Sequence, residues 1–245
     1  MNNFNRNKSK IERINGRKIV SKEHKKLIFL KREEYFYNFF KENQLIKTPF
    51  VYDIDGLNIK TYFVEGEEKN IPLAIRDWAK IHNYFIENPQ KENKLFIRHD
   101  INQVSRYLLQ HEDILNIFGK GAEYKLREVE LNISTQTLLH GDLTPKNFIF
   151  YNNENYYFDF ELGGIGHPAR DIASLIISNP GKKENLINHY KNSFSHSYDG
   201  LDEDIDNWTF VRASQLYFIF DKREGGEKQK SKIKNNLMGI MESLV

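Results

Sequence analysis

The 245-residue sequence predicts an α+β fold in two lobes, a small β-rich N-terminal lobe over residues 1–66 and a larger, mainly helical C-terminal lobe over 67–245. Three observations carry this. Strand-forming runs and tight-turn signals crowd the chain before Glu65. Apolar residues at helical spacing dominate from Leu73 onward. Between them, Glu65-Gly66 followed by EEKNIP breaks the apolar pattern, which marks 65–71 as a hinge or linker.

Each element follows in order. SKIERI and RKIVSKE alternate partially on either side of Asn15-Gly16, the dipeptide that most strongly signals a hairpin. KKLIFLKREEYFYNFFKEN places Leu27, Leu30, Glu33, Tyr35, Phe36, Phe39 and Phe40 at mostly helical spacing and predicts a helix of about three to four turns. FVYDI and NIKTYFVEG flank Asp55-Gly56 and predict a second strand pair. Beyond the linker, Leu73, Ala74, Trp78, Ile81 and Phe85 share one helix face, and residues 88–94 form a polar loop. Helices are expected near 101–117 and 121–131, and short strands with loops over 138–161. In that last region Asn152-Asn153-Glu154-Asn155 is expected to turn, so that Phe158 to Phe160 return against Phe148 to Tyr151. From 170 the pattern is helical, with breaks at Asn179-Pro180-Gly181, at the acidic stretch 202–206 and at Gly225-Gly226. No internal repeat is visible.

Composition bounds the function. With 39% hydrophobic and 13% aromatic residues, the chain is long enough to bury a core, and disorder throughout is excluded. No cysteine is present, so neither disulfides nor thiolate metal sites arise, and a reducing cytoplasm is the default compartment. The segment MNNFNRNKSK has no apolar signal core, and no run of about 18 apolar residues occurs, so a soluble protein with no membrane partner is expected. The net charge of +2 is too small to point to nucleic acid. Its distribution is uneven: residues 6–32 hold eleven Lys or Arg against Glu12 and Glu23. That run reads as a solvated basic face or, more sharply, as a basic cap near a phosphate ligand.

The sequence holds no GxxxxGK[ST], GxGxxG, HExxH or GxSxG motif, which weakens the case for zinc and serine hydrolases and leaves room for a nucleotide enzyme without a Walker loop. The informative stretch is LLHGDLTPKNFIFYNNENYYFDFE, residues 138–161. Gly141 lets Asp142 project from a tight loop. Asn147, five residues on, falls near the same point, and a hairpin carries Asp159 back beside it. Asn147 and Asp159 then offer one amide oxygen and one carboxylate, a hard-oxygen pair suited to Mg²⁺, while Asp142, unligated, is placed to accept a proton from a substrate hydroxyl.

HGDLTPKN, YYFDFE and GHPARDIASL, in that order and spacing, resemble the catalytic core of the aminoglycoside phosphotransferase and choline kinase family, relatives of the protein kinases. The resemblance implies a protein-kinase-like two-lobed fold and phosphoryl transfer to a small molecule, because protein kinases usually carry HRD and DFG where this chain has HGD and DFE. It implies that Asp142 is the catalytic base or hydroxyl-orienting residue, that Asn147 and Asp159 hold magnesium, that His140 braces the loop, and that Asp171 caps and anchors the helix beginning at DIASLI. TYFVEGEE resembles the segment between the lobes, and LAIRDWAKIH a family helix in which His82 is a packing residue.

The resemblance also calls for a small-lobe lysine on the nucleotide phosphates, oriented by a helix glutamate. Lys22 and Glu33 fit, with Lys18, Lys25 and Glu34 as competitors. FNRNKSKIERI stands where relatives carry a glycine-rich loop, yet it has no glycine; Asn5 to Ser9 are expected to cover the phosphates, with Arg6, Lys8 and Lys10 supplying charge. Asp202, Glu203, Asp204 and Asp206 read either as N-terminal capping of the WTFVRASQLYFIF helix or as a site for a cationic substrate. The implied reaction is Mg²⁺-dependent transfer of the γ-phosphoryl group of ATP or GTP to a hydroxyl of an amino-alcohol, sugar or aminoglycoside-like compound. The alternatives are a kinase-fold regulatory module whose altered loop has ended catalysis, and a nucleic-acid binder built on the basic stretch.

Overall fold

Asn15 and Gly16 both adopt left-handed backbone, φ 50° and 78°, and close β1 (Lys8–Ile14) onto β2 (Arg17–Glu23). The computed structural model describes residues 8–66, 69–89, 93–129, 135–221 and 227–244. Gly56, φ 59°, lies in the turn between β3 (Val51–Asp55) and β4 (Asn58–Tyr62), and the four strands form an antiparallel sheet in the order β1-β2-β4-β3. Helix α1 (Leu27–Asn43) packs against this sheet. It runs 17 residues, longer than the predicted three to four turns, and stops only where Gln44 turns left-handed and its N–H bonds Phe40 O.

The C-terminal lobe begins with α2 (Ile71–Glu87), whose start is fixed by Asn70 Oδ1 accepting from Leu73 N and by Pro72 in the first turn. A three-stranded sheet orders β5 (Ile97–His99), β9 (Gly164–Gly166) and β6 (Thr137–Leu139). The hairpin β7 (Phe148–Tyr151) and β8 (Glu154–Tyr157) stands apart. Helices α3 (Ile101–Leu109), α4 (Glu112–Glu128), α5 (Ala169–Ser178), α6 (Lys183–Lys191), α7 (Leu201–Asp221) and α8 (Glu227–Glu242) complete the fold. No helix among the described residues is long and apolar enough to cross a membrane.

Four sequence expectations are corrected. The break expected between 117 and 121 lies at Gln110-His111, where i→i+3 bonds from Gln110 to Tyr107 and from His111 to Leu108 tighten and end α3; α4 then runs through Gly119 and Gly121, whose cost of about 1 kcal/mol each slows a helix without breaking it. The turn of the β7–β8 hairpin uses only Asn152 and Asn153, both left-handed (φ 48° and 62°). Its return strand is therefore 154–157, with Phe148 opposite Tyr157, and Phe158 to Phe160 lie beyond it. The acidic stretch 202–206 does not interrupt a helix; it forms the first turns of α7, where its charge suits the positive end of the helix. Gly225-Gly226 lies outside the described residues.

The lobes are joined by packed aromatics and by polar bonds. Phe36 of α1 stacks on Phe160 at 5.1 Å and 8° between planes; Phe160 meets His140 at 4.8 Å, and His140 meets Trp78 of α2 at 5.4 Å. All four are fully buried. Buried Arg32 adds charge-assisted bonds from α1 to the carbonyls of Leu95 and Glu161. The β7–β8 hairpin is fastened to α2 by the Tyr157 hydroxyl, which donates to Asp77 Oδ2 at 2.8 Å, and by Asn155 Nδ2 on the Asn70 carbonyl at 2.9 Å.

Truncating Phe36 to Ala removes the centre of the aromatic stack and should lower stability by about 3–5 kcal/mol, measured by denaturant titration. Burial pushes the Asp77 carboxyl up from 3.8 to about 6, against the opposing bond from Tyr157. A carboxyl whose folded pKa lies above its unfolded value favours folding while protonated, so its contribution is present below about pH 4 and lost as pH rises through 6. Between pH 4 and 7 the protein should lose about 1–2 kcal/mol relative to an Asp77→Asn variant, the full shift being discounted for partial exposure.

Candidate active site

The loop after β6 is fixed by buried groups. Gly141 has φ 82°, and a Cβ there would come within 1.9 Å of the Leu162 carbonyl oxygen, so only glycine fits. The wholly buried Asp171 accepts the His140 N–H on Oδ2 at 2.8 Å and the Gly141 N–H on Oδ1 at 3.0 Å. Contrary to the expectation from the sequence, Asp171 does not cap its own helix. It lies inside the first turn of α5 and caps the loop instead. Burial would raise its carboxyl, yet His82, followed by His140 and Arg170, holds it below the usual carboxylate value. Arg170 donates to the Gly141 carbonyl from the other side; burial first, then neighbouring Arg212, lowers its pKa to about 9. His82 is a packing residue whose Nδ1 lies 2.9 Å from the Tyr190 hydroxyl and whose Nε2 lies 3.7 Å from Asp171. His140 braces the loop through its backbone N–H and the aromatic faces of Trp78 and Phe160.

On this frame Asp142 and Asn147 come together. Asn147 Nδ2 donates to the Asp142 carbonyl at 2.7 Å and to Asp142 Oδ2 at 3.1 Å. The amide nitrogen faces Asp142, which leaves the amide oxygen for another partner. Asp142 has a second partner: Arg212 Nη2 of α7 lies 3.1 Å from its Oδ1. Arg212 is positioned in turn by Gln215, which accepts from Nη1 at 2.6 Å. Nothing in the sequence near Asp142 signals this arginine, 70 residues away.

Asp159 follows directly from the hairpin. The Phe158 N–H bonds the Asn147 carbonyl at 3.0 Å, and Asp159 then turns left-handed, φ 69°. Its Oδ1 lies 2.6 Å from Lys22 Nζ, which also lies 2.7 Å from Glu33 Oε2. Lys22, Glu33 and Asp159 thus meet across the two lobes, with Glu161 at 3.6 Å from the same ammonium. Burial alone would lower the Lys22 pKa, but Glu33, Asp159 and Glu161 together raise it. Burial would raise Glu33, and Lys22 foremost, with His24, brings it down instead. Two of the competing residues go elsewhere: Lys18 pairs with Glu65, and Glu34 with Lys31 at 2.8 Å.

The site's donor set fits a hard cation. Asp142 and Asp159 are partly exposed, 34% and 38%, whereas Glu33 is 1% exposed. Among the described residues no group of three or more His, Cys, Asp or Glu is placed to hold a metal ion by itself. One carboxylate and one amide oxygen are what magnesium needs from protein when water and phosphate oxygens fill the rest of its shell. The proposed covering segment Asn5 to Ser9 lies mostly outside the described residues; Ser9 and Lys10 belong to β1, and Lys10 pairs with Glu12 at 2.7 Å. Of the acidic stretch, Asp202 meets Lys191 at 2.9 Å, Asp206 meets Lys183 at 2.9 Å, and Asp204 accepts from the Tyr198 hydroxyl.

No curated protein matches the sequence. Among solved structures, the choline kinase LicA from Streptococcus pneumoniae superposes with a TM-score of 0.66 at 16% identity, covering 96% of this chain and 89% of that one. A microcompartment-associated aminopropanol kinase gives 0.68 at 12% identity, covering 98% and 88%. The amicoumacin kinase hAmiN, solved with AMP-PNP, Ca²⁺ and Ami, gives 0.64 at 14% identity, covering 93% and 83%. These likenesses show the two-lobed kinase-like fold. The model of the phosphotransferase enzyme family matches residues 80–203, half of the chain and the part that holds Asp142, Asn147, Asp159 and Asp171, so the chain belongs to that family.

Proposed function

We propose that this phosphotransferase is a Mg²⁺-dependent small-molecule kinase, active in the cytoplasm, that transfers the γ-phosphoryl group of ATP or GTP to a hydroxyl of an amino-alcohol, sugar or aminoglycoside-like acceptor. The observation that carries the reading is Lys22 Nζ, held at 2.7 Å from Glu33 and 2.6 Å from Asp159 across the two lobes. The nucleotide complex of hAmiN supports a nucleotide co-substrate and a divalent cation here. The amine-bearing alcohols in the names of the choline and aminopropanol kinases support the acceptor class. Residues 1–66 would form the nucleotide lobe and 67–245 the lobe carrying catalysis and acceptor binding.

In this reading Asp142 orients the acceptor hydroxyl and takes its proton as the oxygen attacks the γ-phosphorus and the bond to the β-phosphate oxygen breaks. Lys22, steadied by Glu33, contacts the phosphates. Asn147 and Asp159 would hold Mg²⁺, which supplies charge neutralisation for the phosphates as the bond breaks. Asp171 and Arg170 keep the loop carrying Asp142 from shifting, which is where the rate advantage of positioning resides.

The test pairs a broad acceptor panel with mass spectrometry. A gain of about 80 Da, one phosphoryl group, on an alcohol-bearing compound is expected. Asp142→Asn should lower turnover about 100-fold or more, in the range of a general base, while nucleotide affinity changes less than about threefold. Turnover near wild type in that variant would remove Asp142 from its role, and nucleotide binding with no transfer to any acceptor would favour a regulatory module.

A further inference from the structure

His24 stands two residues after Lys22, where β2 leaves the sheet, so the two side chains emerge on the same face. Its backbone is fixed by a 2.8 Å bond from its N–H to the Leu57 carbonyl. The ring is buried, 0% exposed, and its Nε2 lies 3.0 Å from Glu33 Oε2, the same oxygen that Lys22 approaches. Its Nδ1 lies 3.8 Å from Glu161 Oε2, in the turn that follows Asp159. Both contacts are in ion-pair range, yet neither ring nitrogen has an aligned hydrogen-bond partner among the described residues. A buried imidazole placed this way costs free energy that packing alone does not explain, since an apolar ring would fill the space without it.

We infer that His24 is a positioning residue for nucleotide binding, holding Glu33 in place while Lys22 changes partners. The inference rests on the reading of Lys22 as the lysine that contacts phosphate. Lys22 has three N–H donors, and Glu33, Asp159 and Glu161 now surround them. A phosphate oxygen that approaches Lys22 competes with these carboxylates for its ammonium. Asp159, partly exposed, can exchange Lys22 for water; Glu33, buried on α1, cannot. During that exchange Glu33 keeps two neighbours that do not depend on Lys22: the Tyr37 hydroxyl, which donates to Oε1 at 3.0 Å, and His24 beside Oε2. Without His24, Lys22 alone faces Oε2, and the buried carboxylate draws the ammonium back from the phosphate.

The experiment measures Mg·AMP-PNP binding by calorimetry on the full chain, together with KM for ATP and kcat in acceptor-independent ATP hydrolysis. His24→Ala should weaken binding and raise KM about tenfold, with kcat changed less than about threefold. His24→Gln, whose amide still reaches Oε2, should bind within about threefold of wild type at the same thermal midpoint as His24→Ala. Unchanged affinity in His24→Ala, or a Gln variant as impaired as the Ala variant at equal thermal midpoint, overturns the role. If the Ala variant does not fold, His24→Phe, which fills the space without a nitrogen, decides: weakened binding supports the inference and wild-type affinity overturns it. A wild type that fails to bind Mg·AMP-PNP would instead overturn the kinase reading.

Discussion

One buried carboxylate sets the geometry on which the rest of the site depends. Asp171 accepts two successive backbone N–H groups, those of His140 and Gly141, and has no solvent exposure with which to trade them for water. An unpaired carboxylate at that depth would be costly, so the loop and α5 are bound to one another. Arg170 closes the clamp on the Gly141 carbonyl, and the left-handed turn at Gly141 makes both contacts reachable. The direction in which Asp142 leaves the loop follows from these bonds. Bonds to charged groups in a dry interior are also the ones least able to slip, which suits the orienting role proposed for Asp142.

Apolar and polar contacts divide the work of joining the lobes. The stack of Phe36, Phe160, His140 and Trp78 buries large apolar surfaces, but aromatic packing tolerates small rotations. Lys22 and Arg32 supply what the stack lacks. Each is a long cation that reaches from the small lobe to the segment 159–161, Lys22 to the carboxylate of Asp159 and Arg32 to the carbonyl of Glu161. Phe160 lies between them in sequence, so one short turn receives the apolar column and both charges. Rotation of α1 would therefore disturb the lysine, the turn and the stack at once.

Much of this was legible in the sequence because the site is built from local blocks. The turns at Asn15-Gly16 and Asp55-Gly56, the helix faces centred on Phe36 and Trp78, and the two polar blocks 17 residues apart all declare themselves within short windows. The hairpin register was misread because Asn152 and Asn153 alone meet the demand for two left-handed residues, and the sequence offered four polar candidates. The helix break at Gln110 was missed because glycine marks weakness, whereas α3 ends on backbone bonds that leave no residue signature. Arg212, His24 and the loop-facing role of Asp171 depend on contacts that exist only after folding. For the acidic stretch, magnitudes decide: the pairs of Asp202 and Asp206 are partly exposed and worth under about 1 kcal/mol each, while Asp204 is buried against Tyr198 and is structural.

The engagement of Asp142 on both oxygens is compatible with a role in orienting an acceptor. Each carboxylate oxygen offers two lone pairs, so Arg212 on Oδ1 and Asn147 on Oδ2 leave one free on each. Two partners on opposite oxygens fix the plane of the carboxylate, which a single partner would leave free to rotate. In phosphoryl transfer through a loose transition state the hydroxyl gives up its proton late, so alignment counts for more than basicity. The orientation of Asp142 is thus assembled from three distant parts of the chain, the clamped loop at 140–142, Asn147 at the start of the hairpin, and Arg212 on α7.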